Sequence, residues 1–273
     1  MTFKDSEYIV IDGKPLQVMK FPGGEIQVRV PGISTRTPKI VARLTSSDAI
    51  MELLLTNNAL YYEDILYPEV IIPYLPYARQ DRVCSGGEAF SLEVISNIIY
   101  NTFDDITVWD VHSEVAHEWF SYSLKEIPQH TIFRANMPLS AFTHPGGVTI
   151  IGPDKGSREK IINLSANGGF DYIILDKVRN PDTGEITGLT LEDEVFPDKL
   201  YMIVDDICDG GRTFIETAKL LRERGATRVE LYVTHGIFSK GFDVFKGLID
   251  VVYYTNSLHG PISDKIEIIK KTI

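Results

Sequence analysis

Four apolar runs in this chain end in ionisable side chains. ITVWDVH ends on Asp110 and His112, VTIIGPD on Asp154, YIILDK on Asp176 and Lys177, and LYMIVDD on Asp205 and Asp206. In open parallel sheets, ligands bind beyond the carboxyl ends of the strands, so these are candidate binding positions. Period-two alternation along a strand predicts Asp110 and His112 on one face. A single charged strand end needs no explanation, because strand ends reach solvent. Four in one chain point to a site.

The sharpest local signal is IVDDICDGGRTF, residues 203–214. An apolar strand delivers two adjacent carboxylates, and Asp209, Gly210, Gly211, Arg212 and Thr213 then turn into a helix. Glycines let successive N–H groups converge, and a helix N-terminus adds partial positive charge, which together cradle phosphate. Thr213 adds a hydroxyl donor. Asp205 and Asp206 repel phosphate but suit ribose hydroxyls, which donate to carboxylates. The competing reading is a plain strand-to-helix turn.

Weaker signals flank this one. GPDKGSREK, 152–160, is a second strand-loop-helix turn in which Lys155, Gly156 and Ser157 suit a pyrophosphate and Asp154 suits a metal. YLPYARQDR, 74–82, sets Arg79, Gln80 and Arg82 among aromatics, which suits a nucleotide triphosphate; a solvated basic turn is the alternative. Asp110 and His112 suit Mg²⁺ shared with substrate phosphates, although imidazole is not the commonest partner of that ion. Glu114, His117 and Glu118 read as a helix surface. Cys84 and Cys208 have no base beside them, so nucleophilic use is not expected.

The elements that must position these residues alternate along the chain. Runs at 39–44, 70–75, 106–111, 148–152, 172–175, 200–204 and 229–235 read as strands. Helical patterns at 46–60, 91–100, 157–167 and 212–224 lie between them. The fold class is therefore α/β, with parallel sheets built from βαβ units. The first 30 residues differ: EYIVIDG and PLQVMKF predict a hairpin turning at Asp12-Gly13. The breaker cluster at 143–147 predicts a boundary, giving units 1–143 and 144–273. Residues 178–199 are polar and turn-rich and read as a long functional or mobile loop.

Composition bounds the rest. With 27 basic and 38 acidic residues among 273, the net charge of −11 argues against a nucleic-acid or polybasic membrane partner. No apolar run approaches the ~20 residues that span a bilayer, and no signal pattern opens the chain. With two cysteines there is no disulfide framework. A cytoplasmic location is expected.

IVDDICDGGRT resembles the phosphoribosyl-diphosphate loop of type I phosphoribosyltransferases and ribose-phosphate diphosphokinases. FPGGE, SSDAIMELLLTNNAL, IPYLPYARQDR, VWDVHSEVAHEWF, GPDKGS, LDKVR, THGIFSKG and YTNSL resemble the consecutive motifs of the diphosphokinases, in order and over nearly the whole chain. That resemblance implies two similar phosphoribosyltransferase-type domains, the first carrying ATP motifs and the second ribose-phosphate and diphosphate loops. It implies transfer of the diphosphoryl group of MgATP to the 1-hydroxyl of ribose 5-phosphate, leaving AMP. It assigns ATP contacts to Arg79 and Gln80, and to Glu25 acting from a neighbouring subunit, hence a homo-oligomer. It assigns metal-associated roles to His112 and Asp154, with Mg²⁺ as cofactor. Lys177 and Arg179 match the catalytic lysine and its partner arginine. Asp205, beside Asp206, and Asp209 to Thr213 match the ribose-phosphate site.

Three positions depart from the family pattern. Gly23 stands where an acid is usual, Arg212 where a small residue is usual, and Glu118 likewise. Arg212 opens an alternative acceptor with a further phosphate, such as ADP-ribose. A phosphoribosyltransferase lacks the ATP motifs of the first half. A non-catalytic paralogue would have no chemical need for Lys177, Arg179, His112 and Asp154.

Overall fold

Short apolar strands and amphipathic helices build two α/β units. The computed structural model describes residues 2–120, 123–138, 142–179, 186–191 and 193–273, with the backbone alone described at 177–179 and 186–189. One unit comprises Met1–Pro128 with Asn256–Ile266, the other Gln129–Thr255 with Glu267–Ile273. This division falls before the breaker cluster at 143–147, and it returns an eleven-residue segment of the C-terminal half to the first unit.

In the first unit, β1 (Lys4–Ile11) and β2 (Lys14–Lys20) form the expected hairpin. Asp12 and Gly13 have φ of 48° and 76°, the two left-handed residues that a type I′ turn requires. Then come β3 (Ile26–Arg29), β4 (Lys39–Ala42), α1 (Ser47–Tyr61), β5 (Glu69–Ile72), α2 (Ser91–Tyr100), β6 (Asp105–Trp109), α3 (Val115–Phe120) and β7 (Leu124–Ile127). Among the described residues the sheet order is β3-β2-β1-β4-β5-β6-β7. β4 to β7 run parallel, while β1, β2 and β3 are joined antiparallel to one another and to β4. This sheet is thus mixed, with its parallel half at β4 to β7. Ser46 caps α1 by accepting from the Ala49 N–H, and Leu53 and Leu60 bury against Ile40, Val70 and Ile106.

The second unit contains α4 (Gln129–Asn136), β8 (Val148–Gly152), α5 (Arg158–Gly168), β9 (Asp171–Ile174), β10 (Asp176–Arg179), β11 (Ile186–Thr190), β12 (Leu200–Cys208), α6 (Arg212–Glu223), β13 (Arg228–Gly236), β14 (Val251–Thr255) and β15 (Ile268–Thr272). The sheet order is β15-β14-β13-β12-β8-β9, parallel except at β15. All five residues of β8 are buried, as expected for a strand covered on both faces.

The expected loop at 178–199 instead includes the end of β10 and all of β11, which the polar sequence concealed. β10 and β11 pair antiparallel as a two-stranded ribbon, with Lys177 opposite Leu189 and Arg179 opposite Ile186.

Candidate active site

β12 places Asp205 and Asp206 on opposite faces, as successive strand residues must be. Asp206 is buried, and Lys160 of α5 donates to its Oδ2 at 3.0 Å. Asp205 is half-buried; its Oδ1 accepts from the Asp206 N–H at 3.0 Å, and its backbone oxygen accepts from Gln129 Nε2 at 2.8 Å. Burial, and then the adjacent Asp206 charge, hold the Asp205 carboxyl well above its ordinary value.

Beyond β12 the chain passes through half-buried Asp209 and Gly210 to Gly211, the N-cap of α6. Gly211 has φ of 77°, and a Cβ there would lie 2.8 Å from two ring carbons of Phe245. Only glycine fits this turn. No side chain caps α6. The N–H groups of Arg212, Thr213 and Phe214 have no intrahelical acceptor, and with the helix dipole they favour an anion. Arg212 is exposed at the first helical position and Thr213 is half-buried. Cys208 is buried, and burial followed by the Asp205 and Asp209 charges pushes its thiol up to about 12, which makes it a poor nucleophile.

Asp154 follows β8 and caps a short 3₁₀ turn over Lys155–Ser157. Its Oδ1 accepts from the N–H groups of Gly156 at 2.9 Å and Ser157 at 3.3 Å. Lys155 forms an exposed ion pair with Asp176 at 2.7 Å, at the start of β10. Lys177 and Arg179 follow on that strand; their side chains lie outside the described residues.

In the first unit, Arg79 and Gln80 are exposed in the turn after β5. Tyr77 is left-handed at φ of 61°, and the Gln80 N–H donates to its carbonyl at 2.8 Å. Ser113 Oγ donates to Asp81 at 2.8 Å, tying the loop after β6 to the loop after β5. Glu25 is exposed in the β2–β3 turn, where the Phe21 N–H donates to its carbonyl at 2.8 Å.

The shared face expected for Asp110 and His112 is absent. β6 ends at Trp109, and Asp110 turns left-handed (φ 42°), which breaks the alternation. Asp110 is buried while His112 is exposed. His117 is not a plain surface residue either: its Nε2 lies 2.7 Å from Glu126 Oε2. Among the described residues, no three or more His, Cys, Asp or Glu side chains gather as a metal site, and no helix is long and apolar enough to cross a membrane.

Sequence reasoning did not single out Lys160, Gln129, Ser113 or Glu126. Each meets its partner only through the fold, so no local spacing marks it.

Residues 6–102 match the model of the N-terminal domain of ribose phosphate pyrophosphokinase, and residues 126–251 match that of the phosphoribosyl transferase domain. The ribose-phosphate pyrophosphokinase of Pyrococcus abyssi is 31% identical over 93% of this chain and 87% of its own length. That of Pyrococcus furiosus is 29% identical over 94% and 91%. The fold is also that of phosphoribosylpyrophosphate synthetase from Mycobacterium smegmatis: TM-score 0.73 at 22% identity, covering 91% of this chain and 82% of that one.

Proposed function

This chain belongs to the ribose-phosphate pyrophosphokinase family, and on that footing we propose that it transfers the β,γ-diphosphoryl group of ATP to the 1-hydroxyl of ribose 5-phosphate. The products are phosphoribosyl diphosphate and AMP. The observation that carries this reading is the uncapped start of α6 behind a left-handed Gly211, preceded on the same strand by two carboxylates.

The N–H groups of 212–214 hold the 5-phosphate, with the Thr213 hydroxyl as a further donor. Asp205, half-buried near the end of β12, accepts from the ribose hydroxyls, while Asp206 on the opposite face supports the strand end from behind. Lys160, paired with Asp206, fixes that carboxylate and offsets its charge. Arg79 and Gln80 bind ATP, and Glu25 serves an ATP site on a neighbouring subunit of a homo-oligomer. Lys177 and Arg179 stabilise the charge on the group in transfer. Such transfer depends on positioning and charge neutralisation rather than on covalent chemistry by the protein.

His112 of the first unit and Asp154 of the second are each a residue that would hold Mg²⁺. Each supplies a single protein ligand, which suits an ion that keeps most of its shell for water and substrate phosphates. Bound there, such an ion supplies neutralisation of the polyphosphate. Asp154 Oδ1 also fixes its own loop through Gly156 and Ser157.

The test is AMP formation from ATP with ribose 5-phosphate, with ADP-ribose and with neither. AMP formed only with ribose 5-phosphate supports the reading. ADP formed in step with a ribose bisphosphate overturns it.

A further inference from the structure

We infer that Glu126 is a positioning residue for the loop that carries His112. The inference rests on the reading of His112 as part of the MgATP site.

β7 lies beside β6, with Val108 paired to Glu126 and Trp109 to Ile127. Where β6 stops, the backbone enters a left-handed turn at Asp110 and reaches His112 two residues later. A non-glycine residue in that region persists only where its surroundings fix it. Two hydrogen bonds from β7 do so. The Asp110 N–H donates to the Ile127 carbonyl at 2.9 Å, and the Val111 N–H donates to Glu126 Oε1 at 3.0 Å. The second acts on the residue immediately before His112.

The other carboxylate oxygen of Glu126 reaches forward. Oε2 lies 2.7 Å from Nε2 of His117, a residue of α3, which begins just after the loop. One side chain therefore ties the start of the His112 loop to the helix that ends it. Glu126 acts through the backbone that aims His112, as outer-layer partners orient the groups that touch a ligand.

Three variants test this: Glu126→Gln, which keeps an oxygen for Val111; Glu126→Leu, which removes it; and His112→Ala. In the unliganded protein, amide exchange at Val111 should speed up on the order of ten-fold in Glu126→Leu and stay near wild type in Glu126→Gln. kcat/KM for ATP should fall on the order of ten-fold in Glu126→Leu, with Glu126→Gln restoring most of it. Glu126→Leu added to His112→Ala should cost little more than His112→Ala alone.

Wild-type Val111 exchange and ATP kinetics in Glu126→Leu overturn the proposal. So does a double variant whose losses multiply in full. If Glu126→Leu does not fold, His117→Gln decides, since it releases the outer end of the bridge: faster Val111 exchange supports the proposal and unchanged exchange overturns it. Full activity in His112→Ala would instead remove His112 from the site, and Val111 exchange would still decide the role of Glu126.

Discussion

Lys160 Nζ stands 3.0 Å from Asp206 Oδ2, joining the first turns of α5 to the carboxyl end of β12. Asp206 is only 9% exposed along its side chain, and Lys160 27%. The pair sets a cation behind a carboxylate whose neighbour, Asp205, is itself crowded by charge. Lys160→Met keeps the aliphatic stem and removes the charge. Leaving a buried charged group without this partner should cost roughly 1–3 kcal/mol in urea unfolding. A variant as stable as wild type would show that the pair adds nothing to the fold.

The Asp205 carboxyl gives a pH dependence with a definite sign. Its value in the folded protein lies above the ordinary 3.8, so the folded state binds this proton more tightly than the unfolded chain does. The stability linked to it is fully present below that ordinary value and is lost as pH rises through the raised folded value. Asp205→Asn should therefore match wild-type stability near pH 4 and exceed it progressively at higher pH. Chemical unfolding across that range checks the trend. A gain that shrinks with rising pH would mean that Asp205 is stabilised, not penalised, by its surroundings.

Gly211 and Gly210 stand side by side with opposite constraints. A Cβ on Gly211 would meet Phe245 at 2.8 Å in a backbone with φ of 77°, whereas one on Gly210 comes no closer than 3.5 Å, to Lys240 Cε, an ordinary contact. Gly211→Ala should lose roughly 2–4 kcal/mol, combining left-handed strain with overpacking. Gly210→Ala should change stability by about 0.5 kcal/mol or less. Equal losses in both, measured by thermal unfolding, would remove the special demand at Gly211.

Those two glycines also mark what was legible in the sequence. The βα units were readable because strands buried on both faces spell near-continuous apolar runs, as VTIIG does with all five residues buried. The Asp12-Gly13 turn was readable because few residues accept φ above zero. β7 was not: LKEI is short and carries two charges. β15, IIKKT, is an edge strand with lysines outward, a pattern that reads as loop. The candidate site divides in the same way. Motif residues follow from local spacing. Lys160–Asp206 and Glu126–Val111, by contrast, are contacts between separate elements. The left-handed Asp110 defeated the strand alternation that was to set His112 beside it.

Lys177 follows the Lys155–Asp176 ion pair on β10. If its charge acts on the group in transfer, it matters most in the transition state. Lys177→Ala should lower kcat on the order of 10²-fold or more, while ATP affinity by calorimetry changes far less. A loss confined to affinity would make Lys177 a binding group only.

Arg212 separates two acceptors. It is exposed at the first position of α6, beside N–H groups that suffice for a single phosphate. A guanidinium there adds a bidentate partner for phosphate oxygens beyond the first. If Arg212 touches such a group, Arg212→Ala should weaken turnover of a diphosphate-linked ribose such as ADP-ribose by about ten- to a hundred-fold, the scale of a hydrogen bond to a charged group. Ribose 5-phosphate would then lose less, because the backbone of 211–214 still holds its phosphate. Equal losses for both acceptors place Arg212 on the shared 5-phosphate. An unchanged kcat/KM for both leaves it a solvent-facing helix residue. Since the family membership points to ribose 5-phosphate, the expected outcome is wild-type preference for that acceptor, with Arg212→Ala changing its kcat/KM by about three-fold or less, within the range of an exposed charge.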